Sequence, residues 1–477
     1  MEVEIAEKVN DLTVQGVFDA LKKRQSLDRN PSLASRKEKL KKLLHWIMNN
    51  RPRLKEAVHK DFQKPPVEVD VSEVYPVIGE IKQALSHLDQ WVRPTKVDAT
   101  INYMGTRSEI RYEPKGVCLI LSPWNFPFNL SVAPLVSCIA AGNVVLLKPS
   151  EETPNTSQLI ADMVNEVFDG DVIVLQGDKE LASELLTLPF DHIFFTGSPT
   201  VGKIVMKAAA EHLTSVTLEL GGKSPAIVHS SARVKETAKR IAFGKFLNNG
   251  QTCIAPDYLL VHEDVKKEVI AELKKQISKL FGDGGAISDQ SSSYGRVVNE
   301  RHFIRLKEMM DDAVTKGGKV ELGGKLDSST RFFHPTIISN APLQARIMEE
   351  EIFGPILPIV TFRNEEEVIE LVNSKPKPLA LYVFGTNRKF RERVLDQTSA
   401  GSVCINDCVL QFTHPNLPFG GVNNSGIGKS HGFYGFLAFS NEKPVLKQKR
   451  GLALSYLFYP PFSKRMKRLL EPILRWF

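Results

Sequence analysis

The chain runs to 477 residues, 42% hydrophobic and 25% charged, which is the balance of an ordinary soluble globular protein. It is too long for one hydrophobic core, so two or three packed units are expected. The formal charge of +7 is confined to the end: residues 441–477 carry nine Lys/Arg against two Glu, and the other 440 residues hold 53 of each sign. A general nucleic-acid-binding face needs basic residues spread over a domain, and is excluded on that ground.

No run of 18 or more uncharged apolar residues is present, so no transmembrane helix is expected. The start, Met1 to Ile5, has no basic stretch followed by an apolar one, so it does not read as a signal peptide. Five cysteines at 118, 138, 253, 404 and 408 suit no disulfide framework and point to a reducing, cytoplasmic compartment. Cys404 and Cys408 with His414 lack a second Cys pair, and Ser402–Ile405 reads as a buried strand, so no metal site is expected.

In chain order, Asn30-Pro31 starts a helix whose apolar residues, Leu33 to Met48, recur at helical spacing. A second helix is expected from about Val71 to Trp91, ended by Pro94, and Val97 to Tyr112 alternates around Gly105 like a hairpin. From Gly116 the texture changes. Strand-like runs Val117–Leu121, Val144–Leu147, Val172–Leu175 and His192–Phe195 alternate with helices from Val132, from Thr156 to Phe168 and from Val201. A second such series runs from near Pro225 to about Cys404, with helices over Val265–Phe281 and Asn299–Lys316. Alternating short apolar strands and amphipathic helices predict an α/β fold with a parallel sheet covered on both faces. Such a sheet places ligands at the carboxyl ends of its strands.

The residues with chemistry fall at those ends. Cys253, behind Asn249-Gly250-Gln251-Thr252, can be approached closely and would be nucleophilic as a thiolate. Thirty-four residues earlier, Glu219 follows the apolar Val216-Thr217-Leu218, where partial burial would raise its pKa toward that of a general base; the plainer alternative is a surface pair with Lys223. Pro123-Trp124-Asn125-Phe126-Pro127 holds an amide donor between two prolines, suited to an oxyanion or simply to a turn. Lys148 and Glu151 could bond ribose hydroxyls, and Gly197-Ser198, opening a helix that includes Gly202, could hold a pyrophosphate. There is no GxGxxG fingerprint. Glu351 and Phe353 precede a sharp turn at Gly354-Pro355.

These motifs in this order resemble the aldehyde dehydrogenase superfamily from about Asn30 to Pro461, and within it family 3, the class of dimeric and fatty aldehyde dehydrogenases. The pointers to family 3 are the short amino-terminal region, Gly250 to Tyr258, Lys377 to Gly385 and Leu417 to Gly432; Asn423 stands where the family more often has Gly. The resemblance implies a Rossmann-like parallel-sheet cofactor domain, an α/β catalytic domain and a small β oligomerisation arm. The divisions expected are 1–92 with 113–219 for NAD(P), 220–404 for catalysis, 93–112 with 405–445 for oligomerisation and bridging, and 446–477 as a basic tail. It further implies Cys253 as nucleophile, with Asn125 and the Cys253 N–H as oxyanion donors and Glu219 as base. Lys148, Glu151, Trp124, Gly197, Ser198, Gly202, Glu351 and Phe353 are implied around the cofactor.

The expected reaction takes a medium- or long-chain aliphatic or aromatic aldehyde to the acid through a thiohemiacetal and a thioester. NAD ranks ahead of NADP because the Glu151 carboxylate repels a 2′-phosphate. A CoA-acylating dehydrogenase and an esterase side activity are the alternatives; Glu219 favours water as the acceptor. A homodimer is implied. From Lys464, basic residues alternate with Met466, Leu469, Leu470, Ile473 and Leu474. That tail suits either an anionic membrane surface or docking beside the substrate entrance, and Pro472 argues against a long uninterrupted helix.

Overall fold

The structure is a computed structural model and describes residues 13–98, 103, 105–451, 456 and 459–476. The amino-terminal part is helical. Ser32 caps Leu33–Phe62 by accepting from the Ser35 N–H, so that helix begins two residues after the expected Asn30-Pro31 start. The second helix differs more. It opens at Pro66–Val69, widens to a π-turn over Asp70–Val74 and continues as Tyr75–Trp91.

Two large sheets follow. The first has the order Gly426–Ile427, Ser215–Leu220, His192–Gly197, Val117–Leu121, Val144–Lys148, Val172–Val174, with its five main strands parallel. Val117–Leu121 and Val144–Lys148 are buried along their whole length. That explains their unbroken apolar runs, each fully buried Leu, Ile or Val contributing about 1.5–3 kcal/mol. From Val117–Leu121 the chain first builds outward to Val172–Val174, then returns to the other side with His192–Gly197. The strand order therefore reverses between Val117–Leu121 and His192–Gly197, and a crevice opens at their carboxyl ends. Asn125 and Ser198 lie just beyond those two ends.

The second sheet has the order Lys319–Leu322, Thr336–Ser339, Ile356–Phe362, Tyr258–His262, Pro225–Val228, Ala380–Phe384, Ser402–Ile405, parallel except at its first pairing. Ser402–Ile405 is its edge, not a buried strand: Val403 and Ile405 are 38% and 40% exposed. Apolar composition marked the strand, but its position in the sheet is a long-range property. The expected hairpin is a pairing of Thr95–Val97 with Thr106–Pro114. The main partner of Thr106–Pro114 is Ser440–Gln448, over nine residue pairs. At the far end, Lys464–Trp476 forms one helix that runs through Pro472. Pro472 stands exposed in the final turns, where water can satisfy the carbonyl its missing N–H leaves free.

Candidate active site

The helix Val234–Phe246 ends in a loop that carries Cys253, and that loop is unusually bent. Asn248, Asn249 and Gly250 have φ of 54°, 57° and 73° in succession. Asn tolerates the left-handed region, and at 250 only glycine fits, because a Cβ there would strike the Gly354 carbonyl oxygen. Gln251, fully buried, pins the bend: its Nε2 donates to Asn248 O and Arg296 O (both 3.0 Å), and its Oε1 accepts from Val298 N (2.9 Å). Two large cavities meet at Cys253, with a third, small one beside them. One, about 380 Å³, also reaches Trp124, Asn125, Ser198, Glu219, Glu351 and Phe353. The other, about 330 Å³ and mainly apolar, is lined by Phe126, Leu130, Phe243, Ile254, Val409 and Phe412 among others. The small one, about 40 Å³, is lined by Glu219, Cys253, Phe412 and Phe419 among others, with the two phenylalanine rings edge-on at 5.0 Å.

Asn125 is 3% exposed, and its side-chain amide donates to Gln251 O at 3.0 Å. Glu219 sits near the carboxyl end of Ser215–Leu220, whose edge is covered by Gly426–Ile427. The surface alternative is excluded, because Lys223 is buried and bonds Asp257, Ile347 O and Glu350 O instead. Glu219 Oε1 accepts from the Ser430 hydroxyl at 2.8 Å, while Oε2 is buried without a partner. Burial pushes the Glu219 carboxyl up to about 8, opposed by the Ser430 hydrogen bond and the nearby Lys429 ammonium. Burial, with the charges of Glu351 and Glu219, pushes the Cys253 thiol up to about 12. The thiol is therefore protonated at neutral pH, and Glu219, which ionises near 8, shares the same cavity.

Ser430→Ala removes the hydroxyl that stabilises ionised Glu219, so the carboxyl pKa rises further. Each unit costs about tenfold in the ionised fraction below it. The expected result is a rate-versus-pH profile displaced to higher pH, with a several-fold loss at pH 7 that closes in alkali. An inflection at the wild-type pH would show that the hydrogen bond does not tune Glu219.

The larger cleft fits an extended anionic cofactor. Ser198 caps Pro199–Ala210 by accepting from Val201 N, which turns the helix's positive end toward the crevice. Gly197 is required beside it, since a Cβ would enter the Phe195 ring. Gly202 packs the helix against Leu220, where a Cβ would lie 2.7 Å from Leu220 Cδ2. Glu351 is half-buried with its carboxylate against Gly221, and desolvation with the Asp257 charge pushes it up to about 8. Trp124 meets Phe353 edge-on with ring centroids 5.3 Å apart. Lys148 and Glu151 are ion-paired at 2.9 Å at the carboxyl end of Val144–Lys148, the strand next to Val117–Leu121, and do not line the cleft itself.

Two cleft residues have no counterpart in the sequence reading, His302 and Arg305. Both ring nitrogens of His302 are buried without partners, the ring lies 5.0 Å from Trp124, and burial with the charges of Arg305 and Arg301 holds its pKa down at about 4. A neutral imidazole with unused polar atoms is what a hydroxyl-bearing or amide-bearing ligand would complete. Arg305 donates to Glu351 O at 3.2 Å and also to Ile352 O, tying its helix to the Glu351 loop. Their spacing on Glu300–Thr315 reads as ordinary amphipathic helix, so nothing local marks them.

The aldehyde dehydrogenase family profile matches residues 5–445. The chain is 40% identical to aldehyde dehydrogenase family 3 member A2 of Macaca fascicularis over 438 residues, covering 91% of this chain and 89% of that one. It superimposes on a substrate-bound AldH of Staphylococcus aureus with a TM-score of 0.92 at 40% identity, covering 97% of this chain and all of that one. A betaine aldehyde dehydrogenase of Staphylococcus aureus, solved in complex with NAD+, matches with a TM-score of 0.82 at 27% identity over 92% of this chain and 89% of its own.

Proposed function

Since the chain belongs to the aldehyde dehydrogenase family, whose members are NAD(P)-dependent oxidoreductases, we propose that it oxidises a medium- or long-chain aliphatic or aromatic aldehyde to the carboxylic acid on Cys253. The observation that carries this reading is the meeting of a polar and an apolar cavity at one thiol. The apolar cavity takes the aldehyde's tail, and its hydrocarbon lining rewards each buried CH₂ by about 0.8 kcal/mol.

Cys253 loses its proton to solvent through the cleft and attacks the aldehyde carbon, forming a C–S bond and an oxyanion. The Asn125 side chain and the Cys253 N–H donate to that oxygen, each such donor being worth about 3 kcal/mol. Bound NAD(P) supplies the acceptor for the hydride that leaves the same carbon. The carbon is then a thioester. Glu219, ionised and with its Oε2 free, takes a proton from water as the water attacks, and passes it to the departing sulfur as the C–S bond breaks, which returns the thiol. Trp124, Gly197, Ser198, Glu351 and Phe353 border the cofactor, with Lys148 and Glu151 at the adenosine end. The carboxylate of Glu151 disfavours a 2′-phosphate, so NAD is the preferred cofactor.

The test is an aldehyde panel of increasing chain length with NAD or NADP, with and without CoA, followed by absorbance of the reduced nicotinamide. Turnover without CoA, fastest with NAD and with KM falling as the chain lengthens, is expected. A requirement for CoA would replace hydrolysis with acyl transfer, and no dependence on chain length would remove the apolar cavity from substrate choice.

A second reading concerns the tail. Lys464, Arg465, Lys467 and Arg468 are exposed on a helix flanked by Phe462, 68% exposed, and containing Leu474, 73% exposed. No helix of the described residues is long and apolar enough to cross a membrane. We assign this helix to the surface of an anionic membrane, where each basic residue contributes about 1 kcal/mol. Full-length protein is expected to co-sediment with anionic liposomes and a chain ending at Arg450 to remain in solution. Equal binding by both removes the membrane contact; an altered KM for long aldehydes alone would instead place the helix at the substrate entrance. Light scattering on the same samples reads the assembly. Among the described residues, Ser440–Gln448 and Ser402–Ile405 each present an unpaired edge, which favours a homodimer joined through sheet edges, and a single-chain mass would exclude it.

A further inference from the structure

Among the ion pairs of the described residues, Lys64–Glu73 is the one whose side chains are both 0% exposed, with Nζ to Oε1 at 2.6 Å. Burying two charges is costly, and well-packed apolar residues would often be as stable. The question is what geometry the charges hold. Lys64 Nζ donates to the backbone oxygen of Asn125 at 3.3 Å and stands 4.4 Å over the Phe126 ring. Glu73 Oε2 accepts from the Asn129 N–H at 2.9 Å. One ion pair thus grips both ends of the turn 125–129.

The same Asn125 carbonyl has a second donor. Asn248 Nδ2 reaches it at 2.7 Å and also reaches Gln251 O at 3.1 Å, so it links this turn to the loop of Cys253. Glu68 Oε1 in turn accepts from Asn248 N at 2.7 Å. Residues five apart on an α-helix diverge by about 140°. The π-turn Asp70–Val74 inserts one residue and brings Glu68 and Glu73 toward one face. The irregularity in the helix is therefore what lets two carboxylates serve the two loops.

We infer that Lys64, Glu73 and Asn248 are positioning residues of the oxyanion hole, fixing the backbone of Asn125 so that its side-chain amide meets the oxygen of an aldehyde on Cys253. The inference rests on the proposed roles of Asn125 and Cys253. None of the three touches the reacting atoms. Their effect runs through the backbone of the turn 125–129 and of the loop that carries Cys253, and a misplacement of about 1 Å in such a group costs about a hundredfold in rate.

The experiment compares Lys64→Met combined with Glu73→Leu, which removes both charges together, with Asn248→Gly, which keeps the left-handed backbone and deletes only the amide. Asn125→Ala provides the background. Expected in each folded variant is a fall of about tenfold or more in kcat with KM changed less than threefold. Cofactor-independent hydrolysis of an activated ester should fall by the same factor, because both reactions form an oxyanion. NAD affinity and melting temperature of Asn248→Gly should match wild type. In the Asn125→Ala background the same changes should add less than threefold. Wild-type kcat in the pair-free or glycine variant, or full additivity with Asn125→Ala, would overturn the inference. If Asn125→Ala alone kept wild-type rates, the oxyanion role of Asn125 itself would fall and take this inference with it. Should the pair-free protein not fold, Asn248→Gly decides.

Discussion

Cys253→Ser is expected to lower steady-state aldehyde oxidation by on the order of 10⁴-fold or more, with NAD affinity unchanged. The side chain is half-buried where the two cavities meet, and none of its side-chain atoms holds the fold through a hydrogen bond. An oxygen in place of sulfur leaves the site's shape nearly intact, so calorimetric titration with NAD should give the wild-type constant. The loss falls on bond formation. A serine hydroxyl is a far weaker acid than a thiol, and the setting already opposes ionisation: burial and two carboxylates raise even the thiol to about 12. Glu219, near 8, cannot draw a proton from an alcohol to any useful extent. The pre-steady-state burst of reduced nicotinamide should vanish as well, because without a tetrahedral carbon no hydride departs. A serine variant that kept more than about a tenth of wild-type turnover would remove Cys253 from the chemistry.

How much of this was legible in the sequence depended on the range of the interaction. Unbroken apolar runs such as Val117–Leu121 and Val144–Lys148 announced buried parallel strands, since a strand covered on both faces has no polar side to alternate with. Cys253, Glu219 and Asn125 stood out because each follows a strand or a glycine turn, and all three do line one cavity. Long-range pairings were not legible. The β-edge Gly426–Ile427 against Leu218 and Glu219, and the nine-residue pairing of Ser440–Gln448 with Thr106–Pro114, join segments more than two hundred residues apart. Ser430, the donor to Glu219, lies 211 residues away from it, and the 417–432 stretch that contains it marked the family without marking that bond. His302 and Arg305 share the periodicity of an ordinary helix. The spacing around Asp70–Val74 is that of plain helix, because the one extra residue of the π-turn leaves the apolar spacing nearly unchanged.

Glu219→Gln separates the two halves of the reaction, and its expected effect is a steady-state loss of about 10²–10⁴-fold. Glutamine keeps the shape and can still meet the Ser430 hydroxyl, but it has no basic oxygen to offer where Oε2 now lies free. Hydrolysis of the thioester should suffer most, so the burst of reduced nicotinamide should persist at up to one equivalent per active site while turnover after it slows. In the wild type the base is ionised only above about 8, so where hydrolysis limits the rate, kcat should climb from pH 6 to pH 9 and then level. The glutamine variant should lose that climb. A further sign follows from charge. Ionised Glu219 is one of the groups that raise the Cys253 thiol, so its removal lets the thiolate form at lower pH. Alkylation of Cys253 by iodoacetamide above pH 8 should therefore be faster in Glu219→Gln than in the wild type, although catalysis is slower. Opposite movements of reactivity and turnover are difficult to obtain from a loosened fold, which would expose the thiol to reagent without preserving the burst. Equal loss of burst and turnover would reassign Glu219 to the thiol's activation alone, and an unchanged pH profile would deny it the base's role in hydrolysis.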